Sequence, residues 1–349
     1  MRSSPIRRRR GRGSLRFGLA AAALGALVFS TSAAHAFCRT ETGGLRSNTC
    51  SPTATDCCTV GKPLYWKTGC VGFSIQKDAS KQIPYDTALS IISNAFEKWH
   101  NVNCGSGTVS LDFRSLDAVQ CDQVQYNTNP DEGNANIIVF RDTAWAHSDS
   151  NNTLGLTTVT FDPDTGEIFD ADMEINTAQQ TLTVPPATLS STGFDFESIV
   201  THEAGHFLGL AHSADAQATM YAHYFPGSTT MRTLTSDDTA GVCSIYVPPT
   251  NRSATGERTV ADGGAVAAGS CDTTPRHGFS GVCGSGGNWS PPKSCSIASI
   301  GDATGTSGRT ASIVAALGIA LALGVRRRAR RARPPTPPSP LHQRRRGGG

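Results

Sequence analysis

The sequence predicts an α+β domain over residues 62–248, the part of the chain that is long enough to bury a sizeable core. Apolar residues recur at helical spacing in "PYDTALSIISNAFEKWHNV" (residues 84–102), which indicates a long first helix. Runs rich in β-branched residues, such as "NANIIVF" (134–140), indicate strands between turn residues. Helices and strands therefore contribute to one core.

The other elements of this domain follow from the same patterns. The segment "PLYWKTGCVGFSI" (63–75) predicts a first strand, and "TVSLDF" (108–113) predicts another. Residues 155–176 predict two strands joined by a Pro-Asp-Thr-Gly turn. Helical patterns follow at 194–210 and at 234–246, and the second of these begins with an Asp-rich turn.

The stretch "VTHEAGHFLGLAHSADAQATMYAHY" (200–224) contains four of the nine histidines of the chain. His202 and His206 are four residues apart, so a helix places both imidazoles on one face, with Glu203 beside them. In the pattern H-E-x-x-H the two imidazoles bind zinc and the glutamate is a general base. Gly209 can turn the chain after the helix, and His212 follows as a third ligand.

The competing interpretation is a helix whose histidines are ordinary core or surface residues. A five-residue match alone would leave that interpretation open, because three fixed positions recur by chance. The extended spacing also fixes Gly209 and His212, and Met220 follows at a distance suited to a turn beneath the metal. The whole set favours one catalytic zinc.

This sequence resembles the matrixins, the matrix metalloproteinase family of the metzincin zinc proteases, in bacterial form. The resemblance depends on the long zinc motif, on Ser213 directly after the third histidine, on "ATMYAHY" (218–224) and on "LTSDDTAGVCSIY" (234–246). It implies the metzincin fold: a twisted mixed five-stranded sheet, a long first helix, a zinc-binding active-site helix, a Met-turn at Met220 and a C-terminal helix. Ala222 stands where some metzincins have a tyrosine ligand, so no such ligand is expected.

The resemblance also implies how a protein or peptide substrate binds. The substrate would lie extended along an edge strand near Gly155–Phe161 and add itself by backbone hydrogen bonds. Residues 222–224 would form the wall of the pocket for the side chain after the cut bond. The residues expected to bind substrate are Gly155, Leu156, Thr157, Thr158, Ala222, His223 and Tyr224.

A second metal is a separate question. Animal matrixins hold a structural zinc with a His-x-Asp pair and two further histidines. His147 and Asp149 match the pair, but Val159 and Asp172 stand at the other two positions, so one zinc is expected, not two. The alternatives for the acidic residues are a calcium site or a solvated acidic turn. The candidate calcium ligands are Asp162, Asp164, Asp170, Asp172 and Glu174.

The sequence patterns at both ends of the chain are typical of signals that direct export or sorting of a protein. Residues 1–36 have a basic start, an apolar run and a small-x-small site at Ala34–Ala36, which predicts a secretory signal peptide removed by signal peptidase. Ala311–Val325 is apolar but spans only about 22 Å, against a bilayer core of about 30 Å. An arginine run follows it, and Cys295 precedes it. This arrangement (295–333) resembles the C-terminal sorting signals of myxobacteria, which implies a sorting protease and a membrane contact only there.

The net charge of +3 reflects these ends and not the domain between them. Residues 1–36 and 326–349 contain seven and nine arginines and no acids. Removing these 16 from the 31 basic residues leaves 15 against 28 acidic ones, a net charge of −13. The sequence therefore predicts an exported or surface-attached monomer that does not bind nucleic acid.

Cysteine usage agrees with export, because disulfides form in oxidising compartments. We expect a cysteine-rich strap at residues 37–61 and a Gly/Ser/Pro-rich linker at 249–294 with a small Cys271–Cys283 loop. Cys104–Cys121 is a further expected pair, and residues 334–349 form a disordered tail.

The function predicted is that of an exported zinc metalloendopeptidase. Two other functions stay open. One is an inactive surface binding or adhesion protein with a structural zinc, against which Glu203 argues, since structural sites need no base. The other is a metal-dependent amidase that acts on the cell wall, which would digest peptidoglycan but not casein.

Overall fold

In the computed structural model, the described residues are 36–44, 52–53, 56–147, 149–246, 258–259, 265–266, 272–284, 295–297 and 301–302. They belong to one unit, Met1–Gly305. Residues 1–35 of the predicted signal peptide, the apolar segment Ala311–Val325 and the arginine-rich tail lie outside this described part. Within it, no helix is long and apolar enough to cross a membrane.

The secondary structure confirms the α+β class. The helices are α1 (Tyr85–His100), α2 (Phe196–Phe207) and α3 (Ser236–Ile245), with a 3-10 turn at Thr230–Arg232. The strands are β1 (Cys38–Arg39), β2 (Cys70–Ile75), β3 (Asp112–Ser115), β4 (Ile137–Phe140), β5 (Gly155–Phe161), β6 (Ile168–Ile175), β7 (Leu182–Thr183), β8 (Phe194–Asp195), β9 (Leu210–Ala211), β10 (His223–Tyr224), β11 (Arg258–Thr259), β12 (Ala265–Val266), β13 (Cys295–Ile297) and β14 (Gly301–Asp302).

The main sheet contains the five strands that the fold prediction required, in the order β3-β2-β4-β6-β5. The first four are parallel and β5 is antiparallel to β6, so the sheet is mixed. β3 begins at Asp112, later than predicted for "TVSLDF". The short strand β13 adds to the outer side of β5 as a sixth strand.

α1 packs against α2 and positions it on the sheet. Its buried residues, at helical spacing, are Ala88, Ile92, Ala95, Phe96 and Trp99. Phe96 packs between Phe73 of β2 and Phe207 of α2, with ring centroids 4.8 and 5.0 Å away. The indole Nε1–H of Trp99 donates to the carbonyl of Thr201 at 2.8 Å, so the two helices are joined at the turn that precedes the first histidine.

α2 is shorter than its predicted range because its ends are capped within that range. Asp195 is the N-cap, and its carboxylate accepts from the backbone N–H of Ser198 at 2.8 Å. Arg232 binds the same carboxylate at 2.6 Å. At the other end, Gly209 has φ +95°, a left-handed conformation that glycine adopts without strain, as predicted.

The disulfide pairs differ from those expected. Cys104 bonds to Cys243, 139 residues away, and Cys121 bonds to Cys283, so both expected pairs, Cys104–Cys121 and Cys271–Cys283, are wrong. A third disulfide joins Cys38 to Cys57, within residues 37–61. The physical reason is tertiary packing: residues 272–284 lie against the domain, where the side chain of Asn134 donates to the carbonyl of Arg276 at 2.8 Å. This part of the predicted linker is therefore docked to the domain.

Candidate active site

Three histidines meet at the C-terminal end of α2. The rings of His202 and His206 are 4.7 Å apart, and the ring of His212 lies 5.4 and 5.0 Å from them. Their candidate ligand nitrogens all lie within 4.8 Å of one another. Among the described residues, these side chains form the one group of His, Cys, Asp or Glu that is close enough to hold a metal ion.

Hydrogen bonds determine which nitrogens face the centre of this group. Nδ1 of His202 lies 2.6 Å from the carbonyl oxygen of Thr219, and Nδ1 of His206 lies 2.9 Å from that of Leu210. A carbonyl oxygen only accepts, so each Nδ1 donates its hydrogen. The two Nε2 atoms, 3.0 Å apart, are then left with lone pairs that face each other.

This arrangement fits a zinc ion. Burial lowers the pKa of all three histidines, to about 4 for His206, so the rings are neutral and can bind metal. The Nε2 atom of His212 is buried, although its side chain reaches the surface, and it has no hydrogen-bond partner in the described part of the chain. One cation at the centre of the group would be bound by the facing Nε2 lone pairs of His202 and His206 and by Nε2 of His212.

Glu203 lies beside the histidines, fully buried in α2. Its Oε2 accepts a hydrogen bond of 2.6 Å from the hydroxyl of Thr157 in β5, and its Oε1 is buried without a partner among the described residues. Burial raises the pKa of Glu203 well above its usual value, and the hydrogen bond from Thr157 opposes this. A carboxylate with one held and one free oxygen can accept a proton from a bound molecule.

Gly155 and Gly205 leave room for this arrangement. A Cβ on Gly155 would lie 2.8 Å from Oε1 of Glu203. A Cβ on Gly205 would lie 2.2 Å from Sδ of Met220 and 2.8 Å from Trp99. Met220 is buried, and its Sδ lies against Gly205 of the helix that carries two of the histidines.

Asp238 in α3 holds the Met-turn in place, a role that the sequence prediction missed. Its carboxylate accepts from the backbone N–H groups of Thr219 (2.8 Å) and Met220 (3.0 Å). The carbonyl of Thr219 in turn accepts from His202, so the contact reaches a zinc ligand. The T-x-x-D pattern from Thr235 to Asp238 indicates the helix cap but not this second contact.

The neighbouring Asp237 contacts the other side of the site and was also missed. Its Oδ2 accepts from the hydroxyl of Ser213, the residue after the third histidine, at 2.6 Å. Its Oδ1 accepts from the backbone N–H of Phe37 at 3.0 Å. The start of the predicted mature chain is thus joined to the loop that carries His212.

The predicted substrate-binding residues lie on two strands beside the histidines. Gly155, Leu156, Thr157 and Thr158 belong to β5, and Ala222 directly precedes β10, which consists of His223 and Tyr224. Tyr224 is buried, and its hydroxyl accepts from the N–H of Asp195 at 3.0 Å. The expectation of a free edge on β5 needs correction, because β13 of the same chain is paired there.

The structure does not support a calcium site on the five candidate carboxylates, because they do not converge. Asp162 accepts the backbone N–H groups of Asp164 and Thr165 in an exposed turn. Glu174 is held by Arg141 at 2.6 Å and by His147 at 2.7 Å. Asp170 and Asp172 are buried beside a polar cavity of about 540 Å³.

Comparison with known proteins agrees with the geometry of the site. A family model described as matrixin matches residues 65–247. Metalloendoproteinase 1 of Glycine max is 32% identical over 162 residues, 46% of this chain and 46% of that protein. Metalloendoproteinase 1-MMP of Arabidopsis thaliana is 48% identical over 59 residues, 17% of this chain and 16% of that protein.

A human relative gives a longer but weaker match. Matrix metalloproteinase-20 of Homo sapiens is 26% identical over 190 residues, 54% of this chain and 33% of that protein. The chain therefore spans less than half the length of these relatives.

Proposed function

Because the chain belongs to the matrixin family of zinc-dependent metalloproteases, we propose that it is an exported endopeptidase that hydrolyses peptide bonds of extracellular proteins. The observation that supports this most directly is the placement of a buried glutamate with a free oxygen beside three converging neutral histidines. The relatives that are named metalloendoproteinases agree with it.

His202, His206 and His212 would hold the zinc ion. When bound, zinc lowers the pKa of a water molecule and polarises a carbonyl group. Glu203 takes a proton from the attacking water through its free oxygen and delivers it to the leaving nitrogen. The hydroxyl of Thr157 keeps the other oxygen in position, since it donates to it at 2.6 Å.

Two observations disfavour a purely structural metal. A structural zinc is commonly closed by four protein ligands, and the group formed by the described residues contains three. Glu203 is buried at a desolvation cost although it is not one of the three ligands. Digestion of purified peptidoglycan without digestion of casein would instead favour the cell-wall amidase.

Export is the second part of the proposal. The signal-peptide pattern of residues 1–36 and the disulfides Cys38–Cys57 and Cys104–Cys243 are both typical of an oxidising compartment. The N-terminal residue of protein recovered from the culture medium would test it: Phe37 is expected, and retention of residues 1–36 would contradict export by this route.

The substitution Glu203→Gln tests the catalytic role. Casein hydrolysis should fall by about 10²–10⁴-fold while zinc stays bound, because general-base catalysis contributes that much and the glutamate is not a ligand. Glu197→Gln is the matched control, since Glu197 lies on the same helix, is partly exposed, and pairs with Lys98 and Arg232 instead of with the site. Retention of more than about a tenth of the activity in Glu203→Gln would contradict the role.

A further inference from the structure

The strand β5 borders Glu203, the proposed general base. The hydroxyl of Thr157 in β5 donates to Oε2 of Glu203 at 2.6 Å, and a Cβ on Gly155 would lie 2.8 Å from Oε1. One side of β5 is paired with β6 from Gly155 to Phe161. Its other side is the edge of the five-stranded sheet, and an extended peptide can bind to such an edge through main-chain hydrogen bonds. A peptide that adds there lies beside the strand that holds Glu203.

Part of this edge is occupied by the chain itself. β13 runs antiparallel along β5, with Cys295 opposite Val159 and Ile297 opposite Thr157. Thr157 is the residue that holds Glu203, so the occupied part of the edge extends to the strand position next to the general base. Main-chain groups of β5 that pair with β13 are not available to a second strand at the same time.

A second pairing involves the other strand that was predicted to bind substrate. β14 runs parallel to β10, with Gly301 opposite His223. Tyr221, two residues before His223, bridges through its backbone to Ser213, the neighbour of His212. β13 and β14 together therefore pair with both strands on which a peptide substrate was expected to lie.

The pairing of β13 is not needed to hold β5 in the sheet. β5 has seven residues, and its pairing with β6 runs along this whole length, whereas β13 covers three of them. Thr157 also joins β5 to α2 through its hydrogen bond to Glu203. β5 is thus fixed by β6 and α2, and β13 can leave the edge while the five-stranded sheet stays intact.

We propose that β13 is an autoinhibitory strand, which occupies the edge of β5 and must leave it before a peptide substrate can bind there. This inference rests on the proposed function. Because β13 and the substrate compete for the same main-chain groups, β13 raises KM for a protein substrate. It leaves kcat unchanged, since the histidines and Glu203 are the same once the edge is free.

The test replaces two neighbouring residues of β13 in the full chain. Successive N–H groups of a strand point to opposite sides, so the N–H of either Ser296 or Ile297 faces β5. The double substitution Ser296→Pro/Ile297→Pro removes this N–H whichever residue carries it, because proline has none. Thr306→Pro/Ser307→Pro is the matched control, since it makes a double proline exchange beyond β13 and β14.

Initial rates of casein hydrolysis by the zinc-loaded chains give KM and kcat. In Ser296→Pro/Ile297→Pro, KM should fall at least about tenfold with kcat unchanged, because a competitor held at high effective concentration is lost. The control should match the wild type in both constants. On roughly tenfold dilution of the wild-type enzyme KM should stay constant, whereas a falling KM would overturn the assignment of the blocking strand to the same chain.

Amide hydrogen exchange of β5, measured with a chelator present, reports the pairing itself. In the wild-type chain the N–H groups of residues 157–159 should all be protected. In Ser296→Pro/Ile297→Pro those that face away from β6 should exchange at least about tenfold faster, with the Tm unchanged. Unprotected edge groups in the wild type would overturn the proposal without any variant.

The outcomes separate this inference from the protease function. If Ser296→Pro/Ile297→Pro exchanges faster at the edge of β5 but keeps the wild-type KM, autoinhibition is refuted and the protease function stands. If none of the three chains hydrolyses casein, the protease function is refuted and the inference falls with it. Hydrolysis by Ser296→Pro/Ile297→Pro alone would support both.

Discussion

Replacing Asp238 with alanine should weaken both the fold and the zinc site, because one buried carboxylate supports both. It accepts from Thr219, from Met220 and, at 2.7 Å, from the backbone of Thr235. Alanine would leave two buried N–H groups without an acceptor, at about 1–3 kcal/mol each, and would remove half of a capping box, worth about 1 kcal/mol.

The net loss should lie near the low end of this sum, about 3 kcal/mol. Burial raises the pKa of Asp238, which means that its charged form pays a desolvation cost in the folded state. Alanine removes that cost, and this offsets part of the loss of hydrogen bonds. A change of 1 kcal/mol shifts the Tm of a domain of 150–250 residues by about 2–4 °C. We therefore expect a fall of about 6–12 °C.

The same substitution should lower zinc affinity about 10–100-fold, the usual effect of removing a group that orients a metal ligand. The reason is that Thr219 positions His202 through its carbonyl oxygen. Thermal unfolding and competition with a chromophoric zinc chelator measure the two effects. Asp215→Ala is the control, since Asp215 lies in the same loop and its carboxylate accepts from the backbone N–H of Gln217 in an exposed turn. An Asp238→Ala protein with wild-type Tm and zinc affinity would refute the reasoning.

Three further predictions concern the core and the metal content. Burial raises the pKa of Asp172 to about 8 and that of its neighbour Asp170 well above the usual value. The folded state therefore keeps a proton that the unfolded state releases near pH 4. The contribution of this proton to the free energy of unfolding is fully present below pH 4. It is lost as the pH rises toward 8, by up to about 1.4 kcal/mol per pH unit. Asp170→Asn should flatten this slope in melts between pH 5 and 8, and an unchanged slope would contradict it. Gly205→Ala should lower the free energy of unfolding by about 1–3 kcal/mol in a urea titration and weaken zinc binding, because its Cβ would overlap Met220. The control Gly281→Ala, whose Cβ would have no atom within 4 Å, should have little effect in the same titration. Metal analysis by mass spectrometry should find one zinc per chain, because Val159 and Asp172 stand where histidines would be needed, and two tightly held zinc ions would show that expectation to be wrong.

The zinc helix could be predicted because its information is local. The spacing of His202, Glu203 and His206 follows from helix geometry alone, and Gly209 identifies the turn. The boundaries were less predictable. Asp195 ends the preceding strand and caps the helix, which no periodicity in the apolar residues indicates.

The disulfides and the role of Asp238 could not be predicted because they depend on contacts between distant segments. Cys104 follows α1 and meets Cys243 in α3 only after both helices have packed on the sheet. Asp238 was visible as part of an acidic helix start, a common pattern. Its contact with Thr219 requires the Met-turn to lie against α3, which is a property of the tertiary fold.

The Cys121–Cys283 disulfide explains how a distant segment can reach the cleft of its own chain. Gln125, four residues after Cys121, donates its N–H to Asp172 at 2.9 Å, and Asp172 is opposite Thr158 in the sheet. Thr158 is in turn opposite Ser296. The disulfide therefore fixes Cys283 near the strand that receives β13, and 11 residues (284–294) remain as the connection. A segment that belongs to the same chain competes for β5 at a higher effective concentration than a separate molecule does, so the pairing of β13 with β5 does not depend on protein concentration.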